Sequence, residues 1–76
     1  MKAVPLQLGI YEHYRGKRYE VLGIAEHEAT GEEMVVYRAL YGEKKLWVRA
    51  LNIFLEEVDV DGNKVPRFRY VGDESK

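Results

Sequence analysis

Tyr37, Arg38 and Tyr41 lie in one tyrosine- and valine-rich run, and Trp47 and Arg49 lie in the next. If the two runs pair as a hairpin, Tyr37 or Tyr41 comes close to Trp47, with the arginines nearby or on the opposite face. A guanidinium beside aromatic rings suits stacked bases, anionic small molecules or proline-rich peptides. The competing reading is structural. A chain this short needs its rings for a core, and arginines then snorkel at the rim. These five residues form the candidate ligand-binding set.

Other chemistries find little to work with. The only serine is Ser75, near the C-terminus, the only threonine is Thr30, in a turn, and there is no cysteine. Hydroxyl or thiol nucleophilic catalysis therefore lacks its nucleophile. His13 and His27, flanked by Glu12, Glu26 and Glu28, could form an open zinc site if their strands paired suitably. Two histidines without ligand spacing are a poor metal signal, and a surface position for both is favoured. Glu57 to Gly62 resembles the front of a calcium loop, but Phe68 stands where the bidentate glutamate belongs. No glycine-rich phosphate cradle is present. Arg15, Lys17 and Arg18 read as a solvated basic turn, and Arg67 and Arg69 as a solvated basic strand face. The expectation is thus no catalytic residue, no metal and no cofactor.

These residues must be positioned by a very small body. The 76 residues suffice for one domain. A domain of this size buries only about 60% of the surface its unfolded chain exposes. A core of this size rarely supplies more than roughly 3–5 kcal/mol, and without cysteine no disulfide adds to that. Packing of six tyrosines, two phenylalanines and Trp47 is the obvious source. Twelve basic and thirteen acidic side chains give a net charge of -1, which disfavours non-specific nucleic-acid binding but leaves room for a local basic face. No apolar run suits a signal peptide or a membrane span, so a cytoplasmic protein is expected.

Short β-rich runs alternate with turn signals. Strands are expected at Ile10–Tyr14, Arg18–His27, Met34–Tyr41, Leu46–Leu51, Val58–Val60 and Lys64–Tyr70. Gly23, inside the second run, suggests a bulge or bend that swaps the inward face. Asp61-Gly62 is a strong hairpin signal. Pro66 belongs on an edge or at a bulge. Asn52 reads as a helix N-cap before one short 3₁₀ turn over Ile53–Glu56. Both faces of Met34–Tyr41 are largely apolar, which suits a small bent barrel or a face covered by a partner. The expected fold is mainly β, a small SH3-like antiparallel barrel over 9–71, preceded by an N-terminal extension (1–8) and followed by a disordered tail (72–76).

Tyr11-Glu12-His13-Tyr14-Arg15-Gly16-Lys17-Arg18-Tyr19-Glu20-Val21-Leu22-Gly23-Ile24-Ala25 resembles the opening of the bacterial domain of unknown function 1653 (DUF1653). So do Val35-Val36-Tyr37-Arg38-Ala39-Leu40-Tyr41-Gly42, Leu46-Trp47-Val48-Arg49, Phe54-Leu55-Glu56 and Val65-Pro66-Arg67-Phe68. The resemblance runs from about Gly9 to Phe68. Ala50 departs from it, standing where a proline is expected. The resemblance implies a small bacterial β protein, stand-alone or attached to other domains. It supplies no assigned activity and no catalytic residues.

The functional expectation is a non-catalytic binding module whose aromatic and arginine groove takes a peptide or a small anionic ligand. Nucleic acid is a less favoured ligand. The alternatives are an interaction subunit, as a homodimer or docked on a larger enzyme, and, more remotely, a small metal-dependent or acid/base enzyme using His13, His27 and Glu26.

Overall fold

The computed structural model describes residues 6–72. The expected extension and tail fall partly on 1–5 and 73–76, outside the described residues, and Ser75 lies there too. Among the described residues seven strands and one helical turn follow in order: β1 (Gly9–His13), β2 (Arg18–Glu26), β3 (Glu33–Ala39), β4 (Leu46–Ala50), α1 (Leu51–Phe54), β5 (Glu57–Val60), β6 (Asn63–Pro66) and β7 (Phe68–Gly72). The fold is mainly β. One five-stranded sheet has the order β4-β3-β2-β1-β7, and β5 and β6 form a separate hairpin. Every pairing is antiparallel.

Alternation sorts the side chains. Tyr11 opposes Tyr19 and Tyr70, Val21 opposes Tyr37, Tyr37 opposes Trp47, and His13 opposes Phe68. These residues share the inner face of the sheet. Tyr11, Tyr19, Val21, Val35, Tyr37, Ala39 and Phe68 are buried there, joined by Leu6, Leu51 and Phe54. The expected bulge lies between Val21 and Gly23, where Leu22 is the extra residue and Ile24 turns back inward against the core. A second irregularity separates Ile10 from Tyr11 in the pairing with β7.

The sheet does not close into a hydrogen-bonded barrel. β4 and β7 end the strand order, and among the described residues no ladder joins them. The intervening chain folds inward instead. Phe54 of α1 is 1% exposed and stacks flat on Phe68 of β7, with ring centroids 4.1 Å apart. Tyr37 of β3 meets Phe54 edge-on at 5.5 Å. Side chains rather than backbone bonds thus span the gap, each such ring pair adding about 0.5–1.5 kcal/mol beyond its buried area.

Two local expectations are corrected. The short helical segment is one α turn over Leu51–Phe54, not a 3₁₀ turn starting after Asn52. Leu55 N–H closes an α-type bond on Leu51 O, and Glu56 N–H a tighter one on Ile53 O. Its N-cap is Ala50, without a side-chain cap bond, and Asn52 is exposed inside the turn. Burial of Leu51 and Phe54, three residues apart on one face, sets the start in place of capping. The expected strand Lys64–Tyr70 is two strands. Pro66 ends β6 because it has no N–H to extend the ladder. Arg67 then donates its N–H to Glu56 O and accepts from Tyr14 N–H, which hands the chain from the hairpin to β1. The β5–β6 turn is as expected: Asp61 (φ 53°) and Gly62 (φ 83°) both take the left-handed region that a two-residue hairpin turn requires.

Candidate functional site

The inner face is fully packed at its centre and opens at one end. Tyr37 is 2% exposed, so its ring belongs to the core. Trp47, directly opposite on the edge strand β4, is 42% exposed and meets Tyr37 edge-on at 6.2 Å. Tyr19 lies 6.2 Å from Trp47 on the other side and 5.5 Å from both Tyr37 and Tyr41. The Tyr19 and Tyr41 hydroxyls are bonded to each other at 2.8 Å. Burial, then the bond to Tyr41, raises the Tyr19 pKa well above the ordinary tyrosine value. Tyr19 therefore stays a neutral hydrogen-bonding group at physiological pH and is no general base.

Cations rim these rings. Arg49 Nε donates to Tyr37 Oη at 3.3 Å, and its guanidinium sits 5.9 Å from the Phe68 ring centre. Lys17 Nζ lies 4.6 Å over the Tyr41 ring. Among the described residues, neither Arg49 nor Lys17 forms a salt bridge. His13 packs against Phe68 at 4.9 Å and Tyr14 at 4.6 Å. Its pKa is lowered, first by burial and then by Arg67, Arg49 and Arg15. Of these three guanidiniums, that of Arg67 is paired with Glu56 at 2.9 Å.

The structure thus brings Trp47, Tyr41 and Arg49 of the candidate set into one cluster, with Tyr37 buried beneath them. It does not bring Arg38, which alternation puts on the outer face, where its guanidinium reaches Lys44 O at 3.4 Å. Tyr19, Lys17, His13 and Phe68 were not in that set. Tyr19 was legible in principle, since it shares a face with Val21 two residues on. Lys17 was not, because its approach to Tyr41 depends on how two loops meet.

The remote enzymatic reading loses its site. His13 closes β1 near the β1–β2 turn, and His27 follows the far end of β2. Nine residues of extended chain hold them roughly 30 Å apart. Among the described residues, no three histidine, aspartate or glutamate side chains cluster for a metal. A separate cleft of about 360 Å³ lies where His13 and Tyr14 meet Val60, Val65 and Pro66 of the hairpin. Its carboxylate, Glu12, is engaged by Arg69 at 3.0 Å and Arg18 at 3.8 Å.

Among the described residues no helix is long and apolar enough to cross a membrane. No curated protein matches the chain. A crystal structure of a DUF1653 protein from Bordetella bronchiseptica superposes with a TM-score of 0.86, at 38% identity, covering 95% of each chain. The family model for proteins of unknown function DUF1653 matches residues 9–70. The chain belongs to the DUF1653 family, whose function is not known.

Proposed function

We propose that the protein is a non-catalytic binding module that holds an anionic ligand against the rim formed by Trp47, Tyr41, Arg49 and Lys17. The observation that carries this reading is a half-exposed indole in a ring cluster edged by two cations, Arg49 on Tyr37 and Lys17 over Tyr41, that lack salt-bridge partners among the described residues. An uncovered ring supplies a stacking or apolar contact, and an uncompensated guanidinium supplies charge-assisted hydrogen bonds. Tyr37 contributes from below by orienting Arg49. The strand order, with one helical turn between β4 and β7, supports a relationship to SH3-like barrels in which side-chain packing replaces backbone closure. A cytoplasmic setting is compatible with this reading, since a fold without cysteine needs no oxidising compartment.

Trp47 is the only tryptophan, so its emission reports directly on the rim. Titration with acidic peptides, nucleotides and short single-stranded oligonucleotides is expected to change that emission for at least one class, more weakly at high salt. Arg49→Ala is expected to weaken the responding ligand about tenfold or more, as loss of a charge-assisted bond requires. Equal affinity for the variant would remove Arg49 from the site. A second reading, docking through the outer face, is favoured by Leu46 and Val48, which are 55% and 61% exposed. Sedimentation equilibrium of the protein alone checks its homodimeric form, and a strict monomer counts against it.

A further inference from the structure

The β4 edge itself is available. Ala39 N–H donates to Lys45 O across the β3–β4 ladder. In an antiparallel pair, directly bonded positions alternate with unbonded ones. Lys45, Trp47 and Arg49 therefore turn their backbone groups toward β3, and Leu46 and Val48 turn theirs outward. β4 ends the sheet, so among the described residues these outward groups have no ladder partner. Natural edges are ordinarily blunted by proline, inward charge, a bulge or a covering loop. Lys45 and Arg49 flank this edge with charge, but between them Leu46–Val48 has no proline, no charge and no register shift, and all three residues are exposed.

The surroundings select the kind of strand that fits. Leu46 and Val48 project to the outer face, and Trp47 and Arg49 to the inner face. Lys44, Lys45, Arg38 and Arg49 lie along the edge or beside it. The one carboxylate in the preceding loop, Glu43, is held by Lys45 at 3.3 Å. A second copy does not supply the carboxylates that these cations call for. In the register that pairs Leu46 with the second copy's Val48, Lys45 faces the other Arg49, and like charges directly opposite are destabilising.

We infer that β4 accepts an extended acidic peptide as an additional antiparallel strand, with apolar side chains over Leu46 and Val48 and carboxylates toward Trp47 and Arg49. This rests on the anion-binding reading above and adds a main-chain mode to it. The backbone bonds supply affinity, and the alternation supplies selectivity.

The probe is a capped peptide of alternating valine and glutamate, added to the full chain at saturation. Amide hydrogen exchange at Leu46 and Val48 is expected to slow about tenfold or more, with little change at Trp47, whose N–H already faces β3. N-methylation of the valines, whose N–H groups would face β4, is expected to weaken binding at least about tenfold. N-methylation of the glutamates, whose N–H groups would point away, leaves it nearly unchanged. Val48→Pro removes an outward donor from the protein and is expected to abolish the protection. Should that variant not fold, the methylated peptides carry the test on the unaltered protein.

Shifts at Trp47 and Arg49 without protection of Leu46 and Val48 would overturn strand addition and leave the anion-binding reading standing. No response to this peptide, to nucleotides or to oligonucleotides would overturn both. A response to single-stranded DNA alone, or protection that grows with protein concentration without peptide, would replace the proposed occupant by nucleic acid or by a second copy.

Discussion

His13 shows how much a residue's meaning depends on where the fold puts it. Of the three arginines that act on it, only Arg15 is a neighbour in sequence, and Arg49 and Arg67 are brought to it by the fold. The fold surrounds it with Tyr14, Tyr19 and Phe68 rings and with the charges of Arg67, Arg49 and Arg15. Its Nδ1 accepts the Arg15 N–H at 3.1 Å. Burial first, and then the charges of Arg67, Arg49 and Arg15, favour the neutral imidazole, so the folded pKa lies below the unfolded value of about 6.5. Between the two values the unfolded chain carries the extra proton, and stability rises with pH. The His13 contribution is therefore complete above about pH 6.5 and is lost as the pH falls from there through the folded value. Denaturant midpoints between pH 8 and pH 5 are expected to fall more for the native protein than for His13→Gln. Identical pH slopes would contradict the assignment. Among the candidate ligand residues, Tyr37, Trp47 and Arg49 were legible together because cross-strand pairing follows from hairpin register. Arg38 was separated from them by the same period-2 rule.

At the scale of elements, the strands were largely legible and their junctions were not. Alternating apolar residues and the Asp61-Gly62 turn identify β1 to β5 to within a residue or two. The Lys64–Tyr70 run reads as continuous because Pro66 alone does not say which way the chain leaves. That is decided by the bonds of Arg67 to Glu56 and Tyr14, which are remote in sequence. Capping logic likewise placed a helical start at Asn52, whereas burial of Leu51 and Phe54 starts it earlier. Ala50, the departure from the family pattern, has φ -55° and ψ 138°, backbone angles that proline adopts. Its position in the ladder turns its N–H away from β3. Ala50→Pro is therefore expected to raise stability by about 0.4–1 kcal/mol through the unfolded state. A chemical denaturation curve checks this, and a loss of stability would show that the Ala50 N–H is needed.

For the whole molecule, the expectation of a β body around aromatic rings holds, while closure by backbone does not follow from patterning. Composition reveals that rings must fill the core. It cannot reveal that Phe54 and Phe68 would stack across the open side of the sheet. Because a domain of this size rarely has more than about 3–5 kcal/mol to lose, Phe54→Ala, which costs about 3–5 kcal/mol, is expected to leave the protein largely unfolded by circular dichroism at ambient temperature. The same small size leaves few rings uncovered, which gives the exposed Trp47 its weight. The most direct measurement is a heteronuclear NMR titration that follows the Trp47 indole and the Arg49 Nε–H signals together. An anionic ligand that binds as proposed moves both, with Tyr41 and Lys17, and leaves His27 at the far end of β2 unmoved. Ligand-induced shifts confined to the Val60–Pro66 cleft, or signals at Trp47 and Arg49 that stay fixed across peptides, nucleotides and oligonucleotides, would contradict the account.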